Sequence, residues 1–266
     1  MNLNEWIDPI AALAREAGDA ILQVYATDFD VESKDDASPL TQADLASHRC
    51  IVAGLTALTP DVPVISEEEG LASFEERSKW PQYWLIDPLD GTKEFVNRNG
   101  EFTVNIAFID NHRPVFGVVH VPVHEKTYIG CDGVGAMIRD ADGERPIRVN
   151  ATSSSPVRIV GSRSHRGTSL DAFLEKLGDS ELVPMGSSLK FCAVAEGRAD
   201  IYPRLGPTSE WDTAAAQAVV EQAGGKVVEL DGKPLSYNAK EDILNPWFVV
   251  IGAADHDWLA LLENGE

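Results

Sequence analysis

Chemistry is concentrated in the segment Trp84-Leu85-Ile86-Asp87-Pro88-Leu89-Asp90-Gly91-Thr92, where an apolar run ends in one acid and a second follows shortly after. Pro88 fixes φ between them, and Gly91 lets the chain turn sharply into what comes next. Carboxylates this close repel unless a cation neutralises them. With the Leu89 carbonyl between them, they offer the hard oxygen ligands that Mg²⁺ takes. Asp-Pro and Asp-Gly also form ordinary turns, so the segment alone reads equally well as a turn.

Further acids bear on that choice. Glu67, Glu68 and Glu69 follow the short apolar run Val64-Ile65 after Ser66, although a Glu run is otherwise a solvated loop. Asp212 is expected at the start of an Ala-rich helix, residues 211–223, that stops at Gly224-Gly225. An acid there would equally complement the helix dipole. Each signal is ambiguous alone; together they point to a cation site.

Composition limits what such a site could serve. With 22 Lys+Arg against 43 Asp+Glu, the formal charge of −21 excludes nucleic-acid polymers and anionic lipid surfaces as electrostatic partners. Most of the excess acid reads as solvated surface. The 44% hydrophobic and 24% charged content of the 266 residues describes a soluble globular chain of one large or two small domains. The beginning of the chain lacks the pattern of a signal peptide, and no apolar run approaches the roughly 18 residues of a membrane span, so a cytoplasmic location is expected. Cys50, Cys131 and Cys192 fit neither a disulfide framework nor a zinc pattern and read as reduced thiols.

The elements that must position the acids follow from periodicity. Trp6, Ile7, Ile10, Leu13, Ala14, Ala17, Ile21 and Tyr25 mark an amphipathic helix, and a second helix is expected over 41–58. Short strands are expected at 62–65, 83–86, 103–109, 114–121 and 126–129, forming a largely antiparallel sheet. After the 151–156 stretch, the best linker candidate, strands (157–160, 181–185, 200–202, 226–230, 247–251) are interspersed with helices (169–177, 188–195, 211–223). The expected class is α/β: an α+β part over 1–150 carrying most cation ligands and an α/β part over 151–266.

These motifs resemble the inositol monophosphatase superfamily over nearly the whole chain: Asp87-Pro88-Leu89-Asp90-Gly91-Thr92, Glu67-Glu68 upstream of it, and Trp211-Asp212 followed by small residues. Within it, Thr92-Lys93-Glu94-Phe95, Asn99 to Asn105, Ser162-Arg163-Ser164-His165 and Gly186 to Cys192 resemble the bacterial 3'(2'),5'-bisphosphate nucleotidases. Inositol monophosphatases usually carry Thr-Asn-Phe where this chain has Lys93-Glu94-Phe95. The resemblance implies a layered αβαβα sandwich of the sugar phosphatase type. It also implies two to three Mg²⁺ ions, held by Glu67, Asp87, the Leu89 carbonyl, Asp90 and Asp212, with inhibition by Li⁺. By the same resemblance Asp44 and Thr92, with Glu67, activate the attacking water, and Gly91 and Thr92 present backbone N–H groups to the phosphate.

His165, Ser187, Lys190 and Arg204 are implied contacts to the nucleotide and its second phosphate. Lys190 and Arg204 sit in apolar sequence where an unpaired cation is costly, so a structural ion pair is the other reading for them. His165 reads equally as a packing or surface residue, and Asp44 as an ordinary helix-start acid. The implied substrate is adenosine 3',5'-bisphosphate, hydrolysed to AMP and phosphate in clearing a by-product of sulfate assimilation, with 3'-phosphoadenylyl sulfate as a second candidate. The alternatives are an inositol monophosphatase or broad sugar phosphatase, and a non-catalytic regulator that binds divalent ions or nucleotide. The resemblance also carries a peripheral association with the cytoplasmic face of the inner membrane, for which nothing in the chain resembles an anchor.

Overall fold

The computed structural model describes residues 2–27, 39–161 and 168–262. Five layers stack as helix, sheet, helix, sheet, helix. The outer pair is α1 (Ile7–Tyr25) and α2 (Pro39–Leu58). The stripe read from the sequence is the buried face of α1, with Ile10, Ala14, Ala17 and Ile21 fully covered. Trp6, just before α1, packs against Trp84 and Phe108 at centroid distances of 5.1 and 4.9 Å.

The first sheet runs in chain order: β1 (Val64–Ser66), β2 (Gln82–Asp90), β3 (Thr103–Asp110), β4 (Arg113–Val121), β5 (Lys126–Cys131), β6 (Gly135–Asp140) and β7 (Gly143–Pro146). Only the β1–β2 pairing is parallel. Both faces are covered, so β2 reads as a continuous apolar run: Trp84 and Ile86 face α1 and α2, while Tyr83 and Leu85 face the middle layer. Burial of each such large side chain stabilises the fold by about 1.5–3 kcal/mol. Two short helices interrupt the sheet's connections, α3 (Phe74–Arg77) and α4 (Thr92–Val96). Neither has the length that shows as periodicity, and the β6–β7 hairpin, largely exposed in β7, was likewise not expected.

The second sheet joins β8 (Val157–Gly161), β9 (Ser180–Pro184), β10 (Ile201–Arg204), β11 (Lys226–Glu229) and β12 (Phe248–Ile251) in the order β11-β12-β10-β8-β9, with parallel and antiparallel pairs. Helices α5 (Thr168–Leu177) and α8 (Trp258–Leu262) cover its outer face, and α6 (Leu189–Ala195) and α7 (Ala214–Gln222) fill the space between the sheets. That middle core draws residues from both sides of position 150. The 151–156 stretch is pinned rather than loose. Fully buried Asp200 accepts from Asn150 Nδ2 (2.8 Å), Ser154 N (3.2 Å) and Arg158 N (2.8 Å), and Asp255 binds Ser153.

The seat of α7 explains its small residues. Gly117 and Gly130 let the helix lie with its backbone on β4 and β5. A Cβ on Gly117 would come within 2.2 Å of the Ala215 carbonyl oxygen, and one on Gly130 within 2.5 Å of that of Ala218. The helix starts at Ala214, not at residue 211, so Asp212 lies on the preceding turn instead of in the first helical turn.

Gly117→Ala and Gly130→Ala should each lower stability by roughly 1–3 kcal/mol or more, because backbone cannot give way as a side-chain tip can. Urea unfolding midpoints test this. Gly70→Ala, with nothing within 4 Å of the added carbon, should change stability by less than about 0.5 kcal/mol.

Candidate active site

Strand register brings the first acids together. Pairing β1 in parallel with β2 sets Ser66 opposite Ile86, and the Glu67 N–H donates to the Ile86 carbonyl at 3.3 Å, so Glu67 follows β1 beside Asp87. The apolar run expected to stop at residue 86 continues as strand to Asp90, with a register shift between Asp87 and Asp90 that turns both toward one place. The irregularity is anchored by Ser47 of α2, whose hydroxyl donates to the Pro88 carbonyl at 2.7 Å. His48 Nδ1 lies 2.8 Å from Ser66 Oγ, tying α2 to the end of β1. Asp44 precedes Ser47 and His48 by one helical turn on the same face.

Glu67, Asp87 and Asp212 each offer a carboxylate oxygen within 4.8 Å of the others. Asp87 is 1% exposed; one oxygen accepts the Leu89 N–H at 3.0 Å and the other is buried with no hydrogen-bond partner. Burial, then the charges of Asp90, Glu67, Asp212 and Asp44, hold the Asp87 carboxyl well above the usual carboxylate range. Asp212 is pushed up to about 8 by burial and by Asp90, while accepting the Ser209 N–H at 2.9 Å. Glu67 is raised chiefly by burial, and Asp44 is pushed up to about 8 by burial, then by Glu68 and Glu67. An orphaned buried acceptor among converging carboxylates fits a hard divalent cation, the charge that would satisfy all of them.

Asp90 is held differently. Its Oδ2 accepts the Ser188 N–H at 2.6 Å and the Ser188 hydroxyl at 2.5 Å, and Asn105 donates to that hydroxyl oxygen at 2.7 Å. Ser188 and Asn105 were not singled out as site residues. A signal existed for Asn105: it is a polar residue set between apolar Val104 and Ile106 in β3, where it is 1% exposed. Gly91 takes the left-handed φ of 100° and opens α4, whose first residue, Thr92, has an exposed side chain. A side chain at Gly91 would crowd Phe102, Ser187 and the Glu101 carbonyl. Among the described residues, no direct hydrogen bond links Asp44 to Thr92.

Ser187, at φ 46°, precedes α6, and the half-buried Lys190 reaches back to donate to its carbonyl at 2.7 Å. Burial pushes the Lys190 ammonium down; Asp90, Glu94 and Asp212 oppose that, and Arg204 adds to it. Arg204 donates to Thr208 Oγ1 at 2.5 Å and to the Pro207 carbonyl at 2.8 Å. Among the described residues neither cation is in an ion pair. Two cations thus flank the acids within electrostatic reach of each other. His165 and the rest of residues 162–167 lie outside the described residues. Cys131 and Cys192 are buried, Cys50 is half-buried, and all three are free.

Residues 2–259 match the model of the Inositol monophosphatase family. The chain is 50% identical over 246 residues to "3'(2'),5'-bisphosphate nucleotidase CysQ" of Escherichia coli strain K12, covering 92% of this chain and 98% of that one. The Haemophilus influenzae protein of the same name is 38% identical over 266 residues, covering 99% of each. Among solved structures, CysQ from Bacteroides thetaiotaomicron superposes with a TM-score of 0.83 at 40% identity, covering 93% of this chain and 98% of that one. With its carboxylates brought together by the same layered fold, the chain belongs to the inositol monophosphatase family, a metal-dependent family.

Proposed function

We propose that this protein is a 3'(2'),5'-bisphosphate nucleotidase that hydrolyses the 3'-phosphate of adenosine 3',5'-bisphosphate to AMP and phosphate, with Mg²⁺ as cofactor. One observation carries the choice of substrate: the converging carboxylates Glu67, Asp87 and Asp212 lie beside the cations Lys190 and Arg204. A monophosphate needs only the first of these groups. A second phosphate gives the cations a partner, and the relatives named above carry that activity in their names.

Glu67, Asp87 and the Leu89 carbonyl would hold one Mg²⁺, and Asp87, Asp90 and Asp212 a second, with a third, weaker ion at Glu67. Bound Mg²⁺ supplies charge neutralisation at the phosphoryl oxygens and acidifies water. The chain's own residues do the rest. Asp44 takes a proton from the attacking water, which Thr92 orients. The backbone N–H groups of Gly91 and Thr92, which have no intrahelical acceptor at the start of α4, face the phosphate. As the water oxygen bonds to phosphorus, the bond to the ribose 3' oxygen breaks and that oxygen takes a proton from solvent water. Ser187, Lys190, Arg204 and His165 orient the nucleotide and its 5'-phosphate. The parts over 1–150 and 151–266 then contribute complementary halves of one site in a cytoplasmic enzyme. 3'-Phosphoadenylyl sulfate is the second substrate, and Li⁺ inhibits.

Asp90→Asn should keep its fold, since an amide oxygen still accepts from Ser188, yet lose activity by about 100-fold or more with the ligand charge gone. Activity assays paired with circular dichroism check both halves. Turnover of adenosine 3',5'-bisphosphate should exceed that of inositol 1-phosphate at matched Mg²⁺, and the reverse preference would overturn the substrate assignment. The raised acids give the pH dependence its sign. Between the ordinary 3.8 and the folded value of about 8 for Asp212, the folded state holds more protons than the unfolded one, so metal-free stability falls as pH rises. Melting temperature after EDTA treatment should therefore drop from about pH 5 to about pH 8, and added Mg²⁺, which displaces those protons, should raise it more at the higher pH.

A further inference from the structure

Asp212 sits on a turn outside any helix or strand, so its position depends on what grips that turn. Within the turn, Ser209 N donates to the Asp212 carboxylate at 2.9 Å. Arg204 and Ser188 reach it from the site side, at Thr208 and at the Asp212 carbonyl. The opposite side is held by residues 238–245. Asn245 is 8% exposed; its backbone N–H donates to the Thr208 carbonyl at 2.8 Å. Its side-chain Nδ2 donates to the Ser209 carbonyl at 2.9 Å and to Thr213 Oγ1 at 3.0 Å, so one amide closes the turn on both sides of Asp212. Glu210 N donates to the Ile243 carbonyl at 2.9 Å, and Asn238 N donates to the Glu210 carboxylate at 2.8 Å.

The far end of the same segment is tied to α3. Arg77, at the end of α3 and 2% exposed, donates to Asn238 Oδ1, to the Glu241 carbonyl and, at 3.2 Å, to the Lys240 carbonyl. Asn238, in the left-handed region at φ 53°, returns a bond from Nδ2 to the Arg77 carbonyl at 2.6 Å. Among the described residues this buried guanidinium has no carboxylate within ion-pair distance, so its charge is solvated by backbone and amide oxygens. These bonds tie residues 238–241 to α3.

We infer that residues 238–245 form a strap that positions Asp212 for the cation, with Asn245 and Arg77 as its positioning residues. The inference rests on the reading of Asp212 as a metal ligand. Outer partners of this kind set how accurately a ligand is presented.

The test is calorimetric titration of Mg²⁺ alone into the metal-free full chain, with melting temperature measured alongside. Asn245→Ala should raise the Mg²⁺ midpoint about tenfold or more. Asn238→Gly removes the side-chain bonds to Arg77 but keeps the left-handed backbone and its bond to Glu210, so it should fold normally and raise the midpoint about threefold or more. It decides the matter if Asn245→Ala does not fold. Arg158→Met, which cuts bonds to Ser154 and the Gly197 carbonyl away from the site, should lower the melting temperature and leave the midpoint within about twofold. Midpoints within about twofold of the unchanged protein in both strap variants, while Asp212→Asn raises its own, would overturn the strap. An Asp212→Asn midpoint that also stays put would remove the ligand reading and the strap with it.

Discussion

Asp87 is 1% exposed, has one oxygen without a donor, and faces the charges of Asp90, Glu67, Asp212 and Asp44, so like charges are gathered where water screens them poorly. Two unit charges about 4 Å apart repel by about 4 kcal/mol at an effective dielectric near 20. That is a large part of the roughly 5–15 kcal/mol by which a domain is stable. Protons or cations must therefore compensate the cluster, and the surrounding elements must hold it against its own repulsion. The raised pKa values of Glu67, Asp44 and Asp212 are the proton form of that compensation.

The scaffold meets the demand with rigid contacts. The parallel β1–β2 pair fixes Glu67 beside Asp87, and the irregular end of β2 is pinned by Ser47 and by Ser188 with Asn105. Helix α7 lies on Gly117 and Gly130 and brings the chain preceding it to the same place. Tight packing at those glycines leaves little room for sliding. A net charge of −21 need not conflict with an anionic substrate, since a divalent cation at Glu67, Asp87 and Asp212 would reverse the sign locally, with the charges of Lys190 and Arg204 close by.

Much of this was legible in the sequence because it is local. The stripe on α1, the apolar strands and the acids at 87 and 90 follow from spacing and side-chain chemistry alone. Short elements were not legible: α3 and α4 span four and five residues, too few for a helical period to declare itself. The start of α7 was placed early because small residues and an acid after Trp211 resemble a helix start, while the turn there is set by Asn245 and Glu210, far along the chain or buried.

By itself, then, the sequence determined which residues could bind a cation, which faces are apolar, and to which family the motifs belong, since each depends on neighbours within a few positions. It could not decide that Glu67 lies beside Asp87, that Asp44 comes near Glu67 from α2, or that Ser188 bonds to Asp90, Arg77 to Asn238 and Asn245 to the turn carrying Asp212. Those facts rest on strand register, on two glycines that admit a helix backbone, and on hydrogen bonds such as the one spanning 161 residues from Arg77 to Asn238. Contacts between residues so distant form only when the layers close on one another, and only then do separate acids become one site.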